Sequence, residues 1–103
     1  MSQELLNEEL HTACQAGGLD VVLKALYDGA DKNSQIENGM TPLMEAIFYE
    51  NFHIVEELLV QNVDLNIRDS LGFTALHFAV TEKNIKLTQK LLDVDARTDL
   101  GDL

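Results

Sequence analysis

Along this chain apolar residues fall three and four positions apart in short runs, the spacing that puts them on one face of a helix. In the middle third, Leu43, Ala46 and Ile47 share one face. Ile54, Val55, Leu58 and Leu59 share another, with Glu56, Glu57 and Val60 off it. Thr41 suits the N-cap of the first helix, because its hydroxyl can accept a free backbone N–H. Pro42 then fits the first helical position, where no N–H is needed. A break near Glu50 and Asn51 ends this helix, and a second is predicted from about His53 to Gln61. Asn62 follows, where helices commonly close on a left-handed residue. Gly29 and Asp95 are its equivalents, and all three types tolerate positive φ.

The pattern is then copied. NGMTPLMEAI at 38–47 returns as LGFTALHFAV at 71–80, so that Gly39 and Gly72, Thr41 and Thr74, Leu43 and Leu76, Ala46 and Ala79 stand 33 residues apart. Leu10 and Ala13 extend the series backwards. Val22, Val55 and Thr88 align in a further series, as do Leu26, Leu59 and Leu92. Asp31 matches Asp64, and Asn33 matches Asn66. Self-similarity at this period marks a solenoid, in which one unit cannot bury its apolar face alone and three stacked units can. The expected fold is an all-α repeat of three stacked helix-turn-helix units with short hairpin-like loops, such as the turn-rich Asn66 to Gly72 segment. It forms one domain over 1–103, with repeats at about 4–36, 37–69 and 70–102.

Charge narrows the partners. With 18 acidic and 7 basic side chains the net charge is -11. Residues 1–67 hold 12 acids and 2 bases, or -10, and residues 68–103 hold 6 acids and 5 bases, or -1. Such a chain repels nucleic acid and anionic membrane, and favours a basic partner or plain solubility. A single cysteine, Cys14, excludes an intrachain disulfide, and no Cys/His set has metal-ligand spacing. No apolar run reaches membrane-helix length. These features lead to an expectation of a cytoplasmic monomer without metal or cofactor.

The residues resemble the ankyrin repeat family. Unit two carries Gly39, Thr41, Pro42, Leu43, Ala46, Ile54, Val55, Leu58, Leu59, Asp64 and Asn66 at the family's motif positions. Unit three carries Asp69, Gly72, Thr74, Leu76, His77, Ala79, Leu91 and Leu92, and unit one is similar from Leu10 to Asn33. Unit one departs by having Glu8 and Glu9 where the family has Thr-Pro, which predicts a polar first helix starting earlier, near Ser2 or Gln3. Ile36 replaces the hairpin aspartate that Asp69 supplies in the next unit. Met44 replaces the motif histidine and Ala75 the motif proline. Thr88, Gln89 and Lys90 give the last helix a polar surface suited to a C-terminal cap, so the chain reads as a complete three-repeat stack.

Candidate chemistry is thin. His11 and Cys14 lie three apart on a helix and could form a nucleophile pair, but cysteine at an alanine slot is a small buried hydrophobe and no third group orients the histidine. Glu8-Glu9 and Glu56-Glu57 are adjacent and point apart, so neither is an acid/base dyad. The expectation is therefore no enzyme. The resemblance implies partner contacts at the hairpin tips and on the first helices. These map to Gln35, Glu37, Asn38, Met40, Phe48 and Tyr49 in unit two, and to Arg68, Ser70, Leu71, Phe73, Thr81 and Glu82 in unit three. Met40, Phe48, Tyr49, Leu71 and Phe73 are bulky at positions expected to face solvent, as interface anchors are. Glu37, Glu45 and Glu82 are expected to rim them with negative charge. The leading reading is a non-catalytic protein-interaction module with a concave, acidic-rimmed groove. The alternative is a small inhibitor or effector-type regulator that occludes one enzyme or host protein.

Overall fold

The computed structural model describes residues 2–101, with only the backbone of 96–101. Among these residues six helices form and no strand does. They are α1 (Gln3–Ala16), α2 (Leu19–Tyr27), α3 (Pro42–Phe48), α4 (Phe52–Val60), α5 (Ala75–Thr81) and α6 (Ile85–Gly101). Each odd-numbered helix packs on the even-numbered helix that follows it. Within the stack α1 packs on α3 and α3 on α5, giving an inner row, while α2 lies against α4 in an outer row. Between α4 and α6 the outer row opens into a cavity of about 360 Å³.

The helix starts follow from their caps. Ser2 accepts from Leu5 N–H at 3.2 Å, so α1 does begin at Gln3. Thr41 accepts from Met44 N–H at 3.2 Å, and the Met44 sulfur lies 3.5 Å from Thr41 N. In the third repeat the donor at Thr74 N meets His77 Nδ1 at 2.9 Å instead. Met44 thus occupies the imidazole's place with a weaker acceptor.

The inner helices end alike. Gly17, Glu50 and Lys83, spaced by the repeat, have φ of 87°, 60° and 57°. After each, the N–H of Gly18, Asn51 or Asn84 returns to the carbonyl of Ala13, Ala46 or Ala79 at 2.8–3.1 Å. This left-handed closure satisfies a helix-end carbonyl and turns the chain into the outer helix. Of the outer helices, α2 closes on Gly29 (φ 106°) and α4 on Asn62 (φ 63°), as expected. Asp95 does not follow them: α6 passes through it to Gly101. The next residues, Ala96 and Arg97, are strong helix formers, and an aspartate has no obligation to leave the helix.

The core is a continuous seam through the stack. Leu10, Ala13, Cys14, Val22, Leu43, Ala46, Ile47, Ile54, Val55, Leu58, Ala79, Leu87 and Leu91 are buried in one cluster. Ala13, Ala46 and Ala79, one from each inner helix, are buried in this close-packed seam. Thr88 is half-buried and donates its hydroxyl to the Asn84 carbonyl, while the exposed surface of α6 mixes polar Gln89 and Lys90 with apolar Ile85 and Leu92.

Candidate functional site

Two loops project from the stack as fingers, each built round a tight reversal. In the first, Ile36 N–H donates to Met40 O at 3.1 Å. In the second, Asp69 N–H donates to Phe73 O at 2.9 Å. Asp69 Oδ1 also accepts from Leu71 and Phe73 N–H, both at 2.9 Å, which holds the second tip from within. Ile36 cannot do this. Asn38 supplies a substitute, with its Oδ1 accepting from Met40 N–H at 3.0 Å.

The fingers are joined to each other. Ser70 N–H donates to Asn38 O at 3.0 Å, and the Gln35 amide donates to both Gly39 O and Arg68 O at 2.9 Å. Gly39 has φ 82°, and a Cβ there would stand 2.6 Å from Ser70 N, so only glycine lets the two tips approach this closely. Below the tips, Asn33 Oδ1 accepts from Asp64 N–H at 2.8 Å. Asp31 and Asp64 each bond the N–H two residues on, at 2.9 Å, the local turn that explains their 33-residue match.

The structure exposes the predicted contact residues Gln35, Glu37, Asn38, Phe48, Tyr49, Arg68, Ser70, Leu71, Phe73, Thr81 and Glu82, and half-buries Met40 against the core. The four largest apolar ones, Phe48, Tyr49, Leu71 and Phe73, are between 42% and 78% exposed. They fall into two clusters. Phe48 and Tyr49 stand edge to face with centroids 5.1 Å apart at the end of α3. Phe73 at the second tip lies 5.6 Å from His77 and 6.3 Å from Phe78 on α5. Gln35 and Arg68 are spoken for in part: Arg68 also donates to Gly72 O at 3.0 Å, so both brace the fingers as well as face solvent.

Glu45 is a correction. It was expected on the acidic rim and is instead buried at the seam of the first two repeats, where its carboxylate meets His11 Nδ1 and the Gln15 amide. His11 is also buried, and its Nε2 contacts Ser34 Oγ at 2.9 Å. The histidine thereby ties α1, the first finger and α3 together. The negative charge that faces solvent near this finger comes from elsewhere. Glu4, Glu8 and Glu37 line a hollow of about 330 Å³ between α1 and the finger, with Asn7, Ser34, Gln35 and Ile36. The sequence signal for Glu4 and Glu8 was the polar first turns of α1, read there only as a cap.

Cys14 is fully buried, and burial, followed by the charge of Glu45, pushes its thiol up to about 12. With His11 engaged at both ring nitrogens and no thiolate at neutral pH, the pair has no nucleophile to offer. A clamp that sequence reading missed is Asn51, whose amide donates to Cys14 O at 2.6 Å and to Gln15 O at 3.2 Å across the seam. Among the described residues no three His, Cys, Asp or Glu side chains stand close enough to hold a metal ion. No helix there is long and apolar enough to cross a membrane.

Comparison with known proteins agrees with this geometry. The family profile for ankyrin repeats (three copies) matches residues 10–102. A probable E3 ubiquitin-protein ligase of rice, XBOS33, is 38% identical over 88 residues, which is 84% of this chain and 17% of the relative. The ARF GTPase-activating protein Git of Drosophila melanogaster is 30% identical over 92 residues, 88% of this chain and 13% of the relative. The mouse RelA-associated inhibitor is 38% identical over 69 residues, 67% of this chain and 8% of the relative. The chain thus spans less than a fifth of the length of each.

Proposed function

Because the chain belongs to the ankyrin repeat family, we propose that it is a non-catalytic module that grips a basic segment of a partner protein across its fingers and inner helices. Ankyrin repeats in general bind other proteins and perform no chemistry themselves. Repeats divided at about 4–36, 37–69 and 70–102 would each add a strip to that surface.

One observation carries the reading: Phe48, Tyr49, Leu71 and Phe73 stay in solvent on a scaffold that buries Leu6, Leu10, Leu43, Met44 and Ile47 of its first two inner helices. Full burial of such a side chain contributes about 1.5–3 kcal/mol, and a partner can recover the share that is still exposed, between 42% and 78% here. The hollow lined by Glu4, Glu8 and Glu37 adds the charge preference, since it suits a lysine or arginine side chain. Hydrogen bonds between the fingers keep the surface preformed, which lowers the ordering cost of binding.

Affinity capture from a lysate tests this. The parent chain is expected to retain a protein that the Phe48→Ala/Tyr49→Ala/Phe73→Ala variant, folded by circular dichroism, does not. Retention of every partner by the folded variant would refute the groove. The regulatory alternative uses the same surface, and one relative carries the name of an inhibitor. It adds that the captured partner loses its own activity in the complex.

A further inference from the structure

The outer row of helices is not closed evenly. α2 lies against α4, but α4 and α6 stand apart round a cleft of about 360 Å³. Its floor is apolar: Val55 and Leu87 are buried, and Phe52 stands at its edge 40% exposed. Its rim is charged. Lys86 and Lys90, one turn apart on α6, lie across from Glu56 on α4, so two cations meet one anion. The 33-residue register shows that this charge is particular to the third repeat. Lys86 stands where α4 has His53 and α2 has Asp20, and Lys90 stands where α4 has Glu57 and α2 has Lys24. Lys24 is paired with Asp28 at 2.9 Å, whereas among the described residues neither Lys86 nor Lys90 has a carboxylate within ion-pair distance. Residues 83–92 hold three lysines and no acid, in a chain of net charge -11.

We propose that this cleft docks a short acidic segment of a partner protein, with a bulky apolar side chain seated against Phe52, Val55 and Leu87 and flanking carboxylates on Lys86 and Lys90. Burial of that anchor supplies the binding energy, and the two lysines select its acidic neighbours. α6 carries no acid in its first turn, so the positive end of its dipole adds to the lysines. Glu56 on the facing wall repels a carboxylate and so directs the acids to the α6 side. An extended polyanion is a poor occupant. The pull of the lysines fades over about 8 Å at physiological salt. Beyond that reach, a long polyanion meets a chain of net negative charge. A membrane or a nucleic acid is therefore repelled where a short peptide is not. The cleft is separate from the fingers and takes a ligand of opposite charge to the basic segment proposed there.

The probe is a short capped peptide in which one phenylalanine is flanked on both sides by aspartates, titrated into the intact isotope-labelled chain and followed by backbone amide NMR shifts. Shifts are expected from Phe52 to Glu56 and from Asn84 to Lys90, with the finger residues 35–40 and 68–73 unmoved. Lys90→Glu should weaken binding about fivefold or more, since repulsion replaces attraction at the rim. Lys24→Glu, an equal change of charge at the equivalent position on α2, should leave binding nearly unchanged. Lys86→Glu repeats the test if Lys90→Glu loses helical circular dichroism. No shift in the cleft, equal binding of a peptide with lysines in place of its aspartates, or equal losses in Lys24→Glu and Lys90→Glu would overturn the proposal. So would equal or tighter binding to phosphatidylserine vesicles or a single-stranded DNA oligonucleotide, which would make the cleft a polyanion site. Because the probe is acidic, none of these outcomes bears on the fingers as a site for a basic segment.

Discussion

Glu45 links three parts of the molecule through one carboxylate, and its removal should show it. In Glu45→Ala the buried His11 and the Gln15 amide lose their shared acceptor. Leaving a buried hydrogen-bonding group without its partner costs about 1–3 kcal/mol. Urea unfolding should record a loss of that order, and a midpoint equal to the parent's would mean the carboxylate is not holding the seam. Cys14 gives a test in pH. Its thiol rises from 9.0 to about 12 on folding, because burial and then the Glu45 charge oppose the thiolate. The folded state therefore keeps this proton after the unfolded chain has lost it. The contribution is intact below pH 9.0 and is lost as pH climbs toward about 12. Relative to Cys14→Ala, the parent should lose thermal stability across that window, and parallel curves would contradict the assignment. The burial of Cys14 was readable from its slot in the repeat. That of Glu45 was not, since a period of 3.6 identifies one buried face and assumes the rest is wet. As the middle inner helix, α3 is covered by α1 on one flank and α5 on the other, so all of Pro42 to Ile47 is buried.

Among whole elements, the inner helices reveal how a repeat fixes backbone geometry beyond what residue type suggests. Gly17, Glu50 and Lys83 occupy one left-handed position, although two of them carry a Cβ that disfavours it. The register of the stack imposes the conformation because each outer helix must turn back against its inner partner. Lys83→Gly should therefore raise stability by about 0.5–1 kcal/mol, the relief of left-handed strain less the extra entropy of an unfolded glycine. A destabilised variant in chemical denaturation would show that the lysine stem contributes packing that outweighs the strain. The paired helices of each repeat were legible in the sequence, and so were the starts of the inner ones, from the displaced start at Ser2 and from Thr41 and Pro42 in the middle repeat. The end of α6 was not, because Asp95 tolerates a left-handed turn without requiring one. A residue's tolerance becomes a turn only when the following loop needs it, as after Asn62, where Asp64 N–H must reach Asn33 Oδ1 and donate to it.

On the scale of the whole molecule, two surfaces with different physics leave the same seam of stacked helices. Along the flank, the fingers and inner helices present aromatic side chains beside an acidic hollow. Across the outer row, a cleft between α4 and α6 presents apolar side chains beside Lys86 and Lys90. The flank was legible because a 33-residue register carries the exposed positions from one unit to the next. The clustering within it was not, since only coordinates show Phe48 against Tyr49 at one place and Phe73 against Phe78 at another. Nor could sequence separate the carboxylates that face water from the one that does not, because that depends on which helix flank a neighbour covers. Amide hydrogen exchange of the captured complex tests the central claim, that binding uses the fingers and inner helices, most directly. Slowed exchange is predicted in residues 35–49 and 68–82, with α2 and α4 unchanged. Protection confined to the outer helices, with both fingers exchanging as in the free protein, would contradict it.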